Sequence, residues 1–232
     1  MKTYVITSFY KFIPVPEYKT LKQSLLKAMK SANVLGTIIL AEEGINGSLA
    51  GKRKNIDRMI SILTEDARFN DIWFKETHSD NMPFEKAKVK LRKEIVTMGV
   101  ADTDPLKEVG TYVRPEEWNA LISAPDVLLI DTRNNYEVGV GTFKGAINPN
   151  TPNFRDFPEY VKNNLMDKKD QKIAMCCTGG VRCERSTAYL KKLGFKAVYH
   201  LEGGILNYID SIPENESLWE GKCFVFDERI AV

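Results

Sequence analysis

The chain has 232 residues, of which 33 are Lys or Arg and 31 are Asp or Glu, so its formal net charge is +2. A charge so close to zero excludes a histone-like polycation and a polyanionic tail, and a hydrophobic content of 43% is that of a globular protein. At roughly 100–200 residues per domain, the length fits one large domain or two small ones.

No membrane segment or signal peptide is predicted. The longest stretch without a charged residue is the 11 residues Ser31–Ala41, whereas a membrane helix needs about 20 apolar residues. The mildly apolar stretch near the N-terminus is broken by Ser8, Tyr10 and Lys11, so it lacks the apolar core of a signal peptide. The sequence therefore predicts a cytoplasmic protein.

Residues 1–97 are predicted to form a ferredoxin-like domain with the element order βαββαβ. A strand is indicated at Val5–Phe12, and apolar residues at helical spacing run from Tyr18 to Met29. The later elements are a strand at Thr37–Leu40, a hairpin signal at Asn46-Gly47, a helix at Ile56–Leu63, and strands at Ile72–Glu76 and Ala87–Val96. This order is typical of one sheet with helices on one face.

Residues 98–110 are predicted to be a linker, because glycine, proline and aspartate interrupt any sustained period there. Residues 111–232 then alternate strands with helices. The predicted strands are Val127–Ile130, Ile173–Met175 and Ala197–Tyr199, and the predicted helices are Glu116–Ile122, Phe157–Leu165 and Ser186–Leu193. Such alternation indicates a parallel α/β domain covered on both faces, which binds ligands at the carboxyl ends of its strands.

The four cysteines point to thiol chemistry at one site. They are Cys176, Cys177, Cys183 and Cys223. A disulfide framework would spread its cysteines, and a cytoplasmic chain would keep them reduced. No metal site is predicted, because Cys223 has no neighbouring ligand and the two histidines, His78 and His200, are far apart. His200 is predicted to be a hydrogen-bonded residue at the end of a strand, and Cys223 is predicted to be structural.

The loop from Cys177 to Arg182 carries the strongest chemical signal. It lies between a predicted strand and a helix, and its inner residues are Thr178, Gly179, Gly180 and Val181. Glycines let consecutive N–H groups point inward, and a following helix adds its positive end. A cysteine in this cradle has a lowered pKa, so Cys177 is the predicted nucleophile. Arg182 is placed to hold an anion or to balance developing negative charge.

The neighbouring cysteines leave alternatives open. Cys183 follows Arg182 closely enough to act as a resolving thiol for Cys177, and a packed structural cysteine is equally consistent. Strand alternation turns Cys176 away from the loop. Cys176 and Arg182 also have the spacing of cysteine phosphatases, but Met175 stands where those loops usually have His.

Four motifs in this half resemble the rhodanese family. One is the Cys-x-x-Gly-x-Arg loop from Cys177 to Arg182. The others are Asp131-Thr132-Arg133 with Glu137, Gly141–Asn148 with Thr142 in place of the usual His, and Leu201–Gly204. In the family pattern, Asp131, Arg133 and Glu137 look structural, tying the first strand to its loop.

The match narrows to the tRNA uridine hydroxylases. The segments of this chain that resemble that family are Cys177–Glu184, Glu42–Gly47, Lys93–Val96 and Gly221–Asp227. The resemblance therefore covers almost the whole chain. It implies oxygen-dependent formation of 5-hydroxyuridine at the wobble position, in the anticodon loop of tRNA, with Cys177 as the active-site cysteine. Molecular oxygen is then a co-substrate. No dinucleotide fingerprint is evident, so no cofactor is predicted and the electron donor is unidentified.

A basic strand is predicted to bind the tRNA backbone. Lys86, Lys88, Lys90 and Arg92 alternate with Ala87, Val89 and Leu91. A strand with this pattern has one apolar face and one cationic face, and a ferredoxin-like sheet leaves one face free of helices. Phosphates are the natural partners of four like charges. The alternative is an exposed strand that only keeps the protein soluble.

Two other functions fit the same residues. One is a rhodanese-type sulfurtransferase that carries a persulfide on Cys177, and the other is a non-catalytic RNA-binding protein. For a hydroxylase, two mechanisms stay open: the Cys177 thiolate adds to carbon 6 of the uracil ring, or Cys177 itself carries a sulfenic acid or persulfide. The oligomeric state is not predicted.

Overall fold

The computed structural model describes residues 3–232. They divide into two compact units. Unit 1 contains the residues up to Ile95 together with Asp227–Arg229, and unit 2 contains Val96–Phe226 together with Ile230–Val232. None of the helices within residues 3–232 is both long and apolar enough to cross a membrane.

Unit 1 is a five-stranded sheet with two helices. Its elements are β1 (Tyr4–Phe12), α1 (Tyr18–Ser31), β2 (Leu35–Ala41), β3 (Gly44–Gly51), α2 (Arg53–Thr64), β4 (Phe74–Ser79) and β5 (Ala87–Leu91). The strand order is β4-β1-β3-β2-β5. The neighbours are antiparallel except β2 and β5, which run parallel. The first four strands form the predicted ferredoxin-like arrangement, and β5 adds a fifth strand at the edge.

Both helices of unit 1 pack on the same face of the sheet. Met29 of α1 and Met59 of α2 belong to one buried cluster with Phe9 of β1 and Val89 of β5. Since Val89 faces this core, the lysines on either side of it point to the face without helices. Packing therefore orients the basic strand as its alternation predicts.

The predicted hairpin turn at Asn46-Gly47 is wrong. Both residues lie inside β3, and the turn that joins β2 to β3 is at Glu42-Glu43, between the paired residues Ala41 and Gly44. A Cβ on Gly47 would lie 2.7 Å from Cζ of Phe9, so this glycine serves close packing rather than a turn.

Two strand boundaries also differ from the predictions. The predicted strand Ala87–Val96 ends at Leu91, because the N–H group of Ile95 bonds a carboxylate oxygen of Glu43 at 2.8 Å instead of a neighbouring strand. The strand predicted at Ile72–Glu76 is β4, which begins at Phe74. Ile72 still belongs to a turn, where its N–H group bonds the carbonyl of Phe69.

Unit 2 is an α/β domain. Its elements are β6 (Thr111–Val113), α3 (Pro115–Ile122), β7 (Val127–Asp131), α4 (Asn135–Val138), β8 (Gly141–Phe143), α5 (Phe157–Asn164), β9 (Lys172–Cys176), α6 (Val181–Lys192), β10 (Val198–Leu201), α7 (Gly204–Ser211) and β11 (Trp219–Gly221). The main sheet has the order β6-β10-β9-β7 with all pairs parallel, and β8 pairs with β11. The sequence did not predict β6, β8, β11, α4 or α7.

Helices cover both faces of the main sheet of unit 2. One core cluster holds Phe157 of α5 and Leu190 of α6, and the other holds Trp118 of α3 and Ile205 of α7. The irregular segment 98–110 packs within unit 2, where the carbonyl of Thr103 accepts a hydrogen bond from Arg185 at 2.6 Å.

The parallel register brings the chemical residues to one edge of the sheet. Asp131, the last residue of β7, is paired with Cys176, the last residue of β9. The N–H group of Thr132 then bonds the carbonyl of Cys176 at 2.9 Å. Side chains that follow these two strands therefore meet at the carboxyl edge, as expected for this fold.

Candidate active site

The two adjacent cysteines Cys176 and Cys177 lie on opposite sides of the sheet. Cys176 is buried in the cluster with Trp118, where burial raises its pKa. Cys177 is buried in the other cluster, together with Cys183. Cys176, the cysteine whose spacing to Arg182 matches that of the phosphatases, therefore lies outside the loop. Cys177 is the cysteine that faces the loop.

The start of α7 shapes the loop around Cys177. Its first N–H groups bind the loop carbonyls, from Ile205 to Cys177 at 2.9 Å and from Leu206 to Thr178 at 3.1 Å. Gly204 has φ of +72°, and a Cβ there would lie 2.6 Å from the carbonyl oxygen of Cys177. Only glycine fits this contact. With the carbonyls turned toward α7, the N–H group of Gly180 points back to the Cys177 sulfur at 3.1 Å.

The surroundings of Cys177 favour its thiolate. Complete burial by itself raises the pKa of a thiol. Here burial is outweighed by a hydrogen bond from the Cys183 thiol, by the charge of Arg182, and by the N–H groups of Cys183 and Gly180, so that the pKa of Cys177 falls to about 6. Both N–H groups belong to the start of α6, where a helix stabilises negative charge. These contacts therefore favour the thiolate form of Cys177 at neutral pH although its sulfur is buried.

Cys183 has the opposite protonation state. It is buried in the first turn of α6, and burial together with its bond to Cys177 raises its pKa well above the usual value. The hydroxyl of Thr132 lies 3.7 Å from its sulfur. Cys183 therefore keeps its proton and donates it to the Cys177 thiolate as a hydrogen bond. Two thiols with separated pKa values are typical of a site that divides the roles of nucleophile and donor.

Arg182 is held by a buried carboxylate. Its two terminal nitrogens donate to Glu137 at 2.6 and 2.8 Å, and one of them also donates to the hydroxyl of Thr178 at 3.2 Å. Glu137 has no exposed surface. The Glu137 carboxylate also accepts a hydrogen bond from the N–H group of Asn134 at 3.1 Å. Glu137 therefore ties down the loop that follows β7, as its structural interpretation predicts, and fixes Arg182 as well. Arg182 acts on Cys177 through its charge, which lowers the pKa of the thiol.

Asp131 and Arg133 form a second buried pair. Nε and Nη2 of the guanidinium donate to the two carboxylate oxygens, at 2.9 and 2.6 Å, and Nη2 also donates to the carbonyl of Gly141 at 2.6 Å. Thr142 donates to Asp131 at 2.8 Å, from the position where the resemblance leads one to expect His. These contacts join β7 to β8, as the structural interpretation of the two residues predicts.

Other residues singled out in the sequence lie outside the cradle. The prediction of a hydrogen-bonded His200 is wrong: among residues 3–232 neither ring nitrogen has a partner, and burial lowers its pKa to about 4. The ring lies 4.2 Å from that of Tyr112, so packing takes the place of hydrogen bonding. Burial raises the pKa of Cys223 to about 12. No group of three or more possible ligands within residues 3–232 is arranged to hold a metal ion.

Three aromatic residues beside the loop have no role predicted from the sequence. The Phe226 ring lies 5.6 Å from the Arg182 guanidinium, and Phe224 links it to Tyr136. Phe224 and Phe226 belong to the segment Gly221–Asp227 that carries the family resemblance, and they alternate with Val225. Neither signal reveals the contact with the distant loop at Arg182.

The basic strand presents an open cationic surface on unit 1. All four predicted residues, Lys86, Lys88, Lys90 and Arg92, are exposed. Lys88 is paired with Thr37 of β2, next to Ser48 of β3. Ser48 shares a 3.0 Å hydrogen bond with Ser8 of β1. Hydroxyl groups therefore extend the cationic edge across the sheet, which suits contacts to phosphate and sugar.

Comparisons with known proteins assign the family. Residues 4–95 match the UPF0176 acylphosphatase like domain, and residues 114–211 match the rhodanese-like domain. A curated tRNA uridine(34) hydroxylase from Legionella pneumophila (strain Corby) is 59% identical over all of this chain and 91% of its own length. The chain belongs to the tRNA uridine(34) hydroxylase family. A protein of the same name from strain Lens has the same identity and coverage.

The family prediction and the two-domain α/β fold class are thereby confirmed. Among solved structures, the rhodanese-like domain of the Alr3790 protein from Anabaena sp. is 18% identical, with a TM-score of 0.40, over 47% of this chain and 78% of that chain.

The Cys183 thiol can be tested through the pKa of its neighbour. In Cys183→Ala, the pKa of Cys177 should rise above about 6, because burial still acts on the sulfur while one of the hydrogen bonds that oppose it is lost. The midpoint of Cys177 alkylation by iodoacetamide, followed by mass spectrometry of its peptide, should move to higher pH. Cys223→Ala is the matched control and should keep the original midpoint. An unchanged midpoint in Cys183→Ala would show that this thiol does not stabilise the thiolate.

Proposed function

We propose that this chain hydroxylates uridine 34 of tRNA to 5-hydroxyuridine, in the cytoplasm, with the Cys177 loop as its active site. The observation that carries the proposal is 59% identity to curated tRNA uridine(34) hydroxylases over the whole chain. The ionised, buried sulfur of Cys177 supports it, because such a thiolate is a strong nucleophile in a water-poor site.

The chemistry of uracil explains the need for a thiolate. Carbon 5 is a poor nucleophile, but addition of the Cys177 sulfur to carbon 6 converts the ring into an enolate that is nucleophilic at carbon 5. One atom of molecular oxygen then becomes the 5-hydroxyl group. The other leaves as water, with two electrons and two protons from a two-electron reductant. Loss of the carbon 5 proton and expulsion of Cys177 restore the double bond.

The neighbours of Cys177 assist both sulfur steps. The Cys183 thiol and the two N–H groups at the start of α6 stabilise the sulfur when it is a thiolate, before addition and after expulsion. The buried Arg182–Glu137 pair supplies a fixed positive group beside the sulfur without a mobile counterion. We therefore assign Cys177 as the catalytic residue, and Cys183 and Arg182 as residues that set its charge.

A cysteine-borne oxidant or a sulfurtransferase would use the same loop differently. A sulfenic acid on Cys177 would lie beside Cys183 and condense with it to a disulfide, which each turnover would have to reduce. The rhodanese-like match to residues 114–211 keeps sulfur transfer as the second candidate. Transfer of sulfur from thiosulfate to cyanide by the purified protein would favour that candidate.

The basic strand is proposed to hold tRNA while the anticodon loop enters unit 2. Lys86, Lys88 and Lys90 are exposed to solvent, where phosphates can reach their charges. Loop bases are unpaired, so uridine 34 can leave its neighbours without the opening of a long duplex. This arrangement separates backbone binding on unit 1 from chemistry on unit 2.

The function is tested by nucleoside analysis of tRNA from cells that lack the gene. Rescue with the natural chain should restore 5-hydroxyuridine, rescue with Cys177→Ser should leave none, and rescue with Cys176→Ser should be largely effective, because Cys176 faces the other core. Both variant proteins must accumulate to the natural level. Full activity of Cys177→Ser would overturn the assignment of the nucleophile, and no change on deletion would overturn the function.

Removal of the basic strand's charge should flatten the salt dependence of tRNA binding. The measured quantity is the slope of the logarithm of the tRNA-binding constant against the logarithm of the salt concentration. We expect the triple variant Lys88→Gln, Lys90→Gln, Arg92→Gln to reduce the size of this slope by about 0.7–0.9 for each lost phosphate contact. The matched control changes three exposed lysines of α1, Lys19, Lys27 and Lys30, which lie on the helical side of the sheet. Equal slopes for the triple variant and the natural chain would show that the tRNA backbone does not bind at the basic strand.

A further inference from the structure

An exposed aromatic cluster adjoins the reactive loop. We call Tyr136, Phe224 and Phe226 the aromatic platform. The rings of Tyr136 and Phe224 are 5.2 Å apart, those of Phe224 and Phe226 are 5.4 Å apart, and both contacts are edge-to-face. Tyr136 is 49% exposed and Phe226 is 59% exposed, so two large apolar rings are left in water beside a deeply buried active site.

The platform is held in place by local structure. Val225 is buried between the two phenylalanines, so alternation turns both rings to the same side. Paired backbone bonds between Cys223 and Val232, at 2.8 and 2.9 Å, close the short C-terminal hairpin. The Tyr136 hydroxyl accepts a hydrogen bond from Asn134 at 2.9 Å. Rings that are fixed in this way lose little conformational entropy when a ligand stacks on them.

Both exposed rings lie next to the ion pair of Arg182 and Glu137. Phe226 lies against the guanidinium of Arg182, and Tyr136 precedes Glu137, the carboxylate partner of Arg182. Arg182 in turn belongs to the loop whose charge acts on Cys177. The platform is therefore continuous with the catalytic loop rather than a separate apolar patch, and its occupant should be part of the substrate.

We propose that Phe226 and Tyr136 form the stacking surface that receives the unpaired base at position 34 of the RNA and guides it toward Cys177. This inference rests on the proposed function. A base that leaves the anticodon stack loses its neighbours, and aromatic side chains replace them because every base has an apolar π-face. Phe226 is the principal contact, since its ring is the one that covers the loop's arginine.

The proposal is tested by a double-mutant cycle on RNA binding. The probes are an anticodon stem–loop RNA with uridine at position 34 and the same RNA with an abasic site there. In the natural chain, removal of the base should weaken binding about 5- to 100-fold, the range for one stacked base, and Phe226→Leu should weaken binding of the uridine RNA by a similar factor. For the abasic RNA, Phe226→Leu should cause no further loss.

Conservative variants and a second readout separate stacking from damage to the fold. Phe226→Tyr keeps the ring and should bind like the natural chain, whereas Phe226→Met is a second ring-less variant that should behave like Phe226→Leu. The alkylation midpoint of Cys177 should stay unchanged in all of them, which shows that the loop is intact. Equal losses for both RNAs in Phe226→Leu, or a loss in Phe226→Tyr as large as in Phe226→Leu, would overturn the platform. Failure of the natural chain to bind the uridine RNA would instead overturn the proposed function.

Discussion

The unit 2 site is built around one constraint: a sulfur atom must carry negative charge although it has no contact with water. Burial alone would keep the Cys177 thiol neutral. The structure opposes burial with a thiol donor, two backbone donors at a helix start and a fixed guanidinium, which together bring the pKa to about 6. The loop, the start of α6 and the Arg182–Glu137 pair all contribute to this balance.

The architecture of unit 2 supplies these contacts without mobile parts. Parallel pairing of β7 with β9 places Thr132 beside the loop, where its hydroxyl contacts the Cys183 sulfur. The start of α7 holds the loop carbonyls away from the sulfur, which requires Gly204 at a contact where a Cβ would not fit. Glu137 lies on α4 and fixes the guanidinium of Arg182, so the site is preorganised for a thiolate before any substrate arrives.

The sequence predicted features that local pattern controls. Alternation of Lys88, Val89 and Lys90 predicted which face of the sheet is cationic, and alternation in β9 separated Cys176 from Cys177. The position of Gly179 and Gly180 between a predicted strand and a predicted helix indicated the loop around Cys177. The start of α6 was placed five residues late, at Ser186 instead of Val181, because Gly180 at φ of +102° precedes the helix without a side-chain cap.

Features that depend on contacts between distant residues could not be predicted in this way. The pairing of Glu137 with Arg182 joins residues 45 apart in sequence, and the contact of Phe226 with Arg182 depends on the return of the C-terminal hairpin. His200 is a further example of a residue whose contacts the local pattern does not predict. Its position fits a strand end, but its ring packs against Tyr112 and its two nitrogens have no hydrogen-bond partner among the described residues. The hairpin turn predicted at Asn46-Gly47 was wrong for a related reason. Gly47 is required by close packing against the distant residue Phe9 and not by a turn.

The claim that the Cys177 thiolate adds to the uracil ring is tested most directly with tRNA that carries 5-fluorouridine at position 34. Fluorine at carbon 5 cannot leave as a proton does, so addition of the sulfur to carbon 6 should trap a covalent protein–RNA complex. Mass spectrometry should then find the ring attached to Cys177, and Cys177→Ser should form no complex. A modified cysteine without any protein–RNA adduct would contradict direct addition and favour a sulfenic acid or persulfide on Cys177.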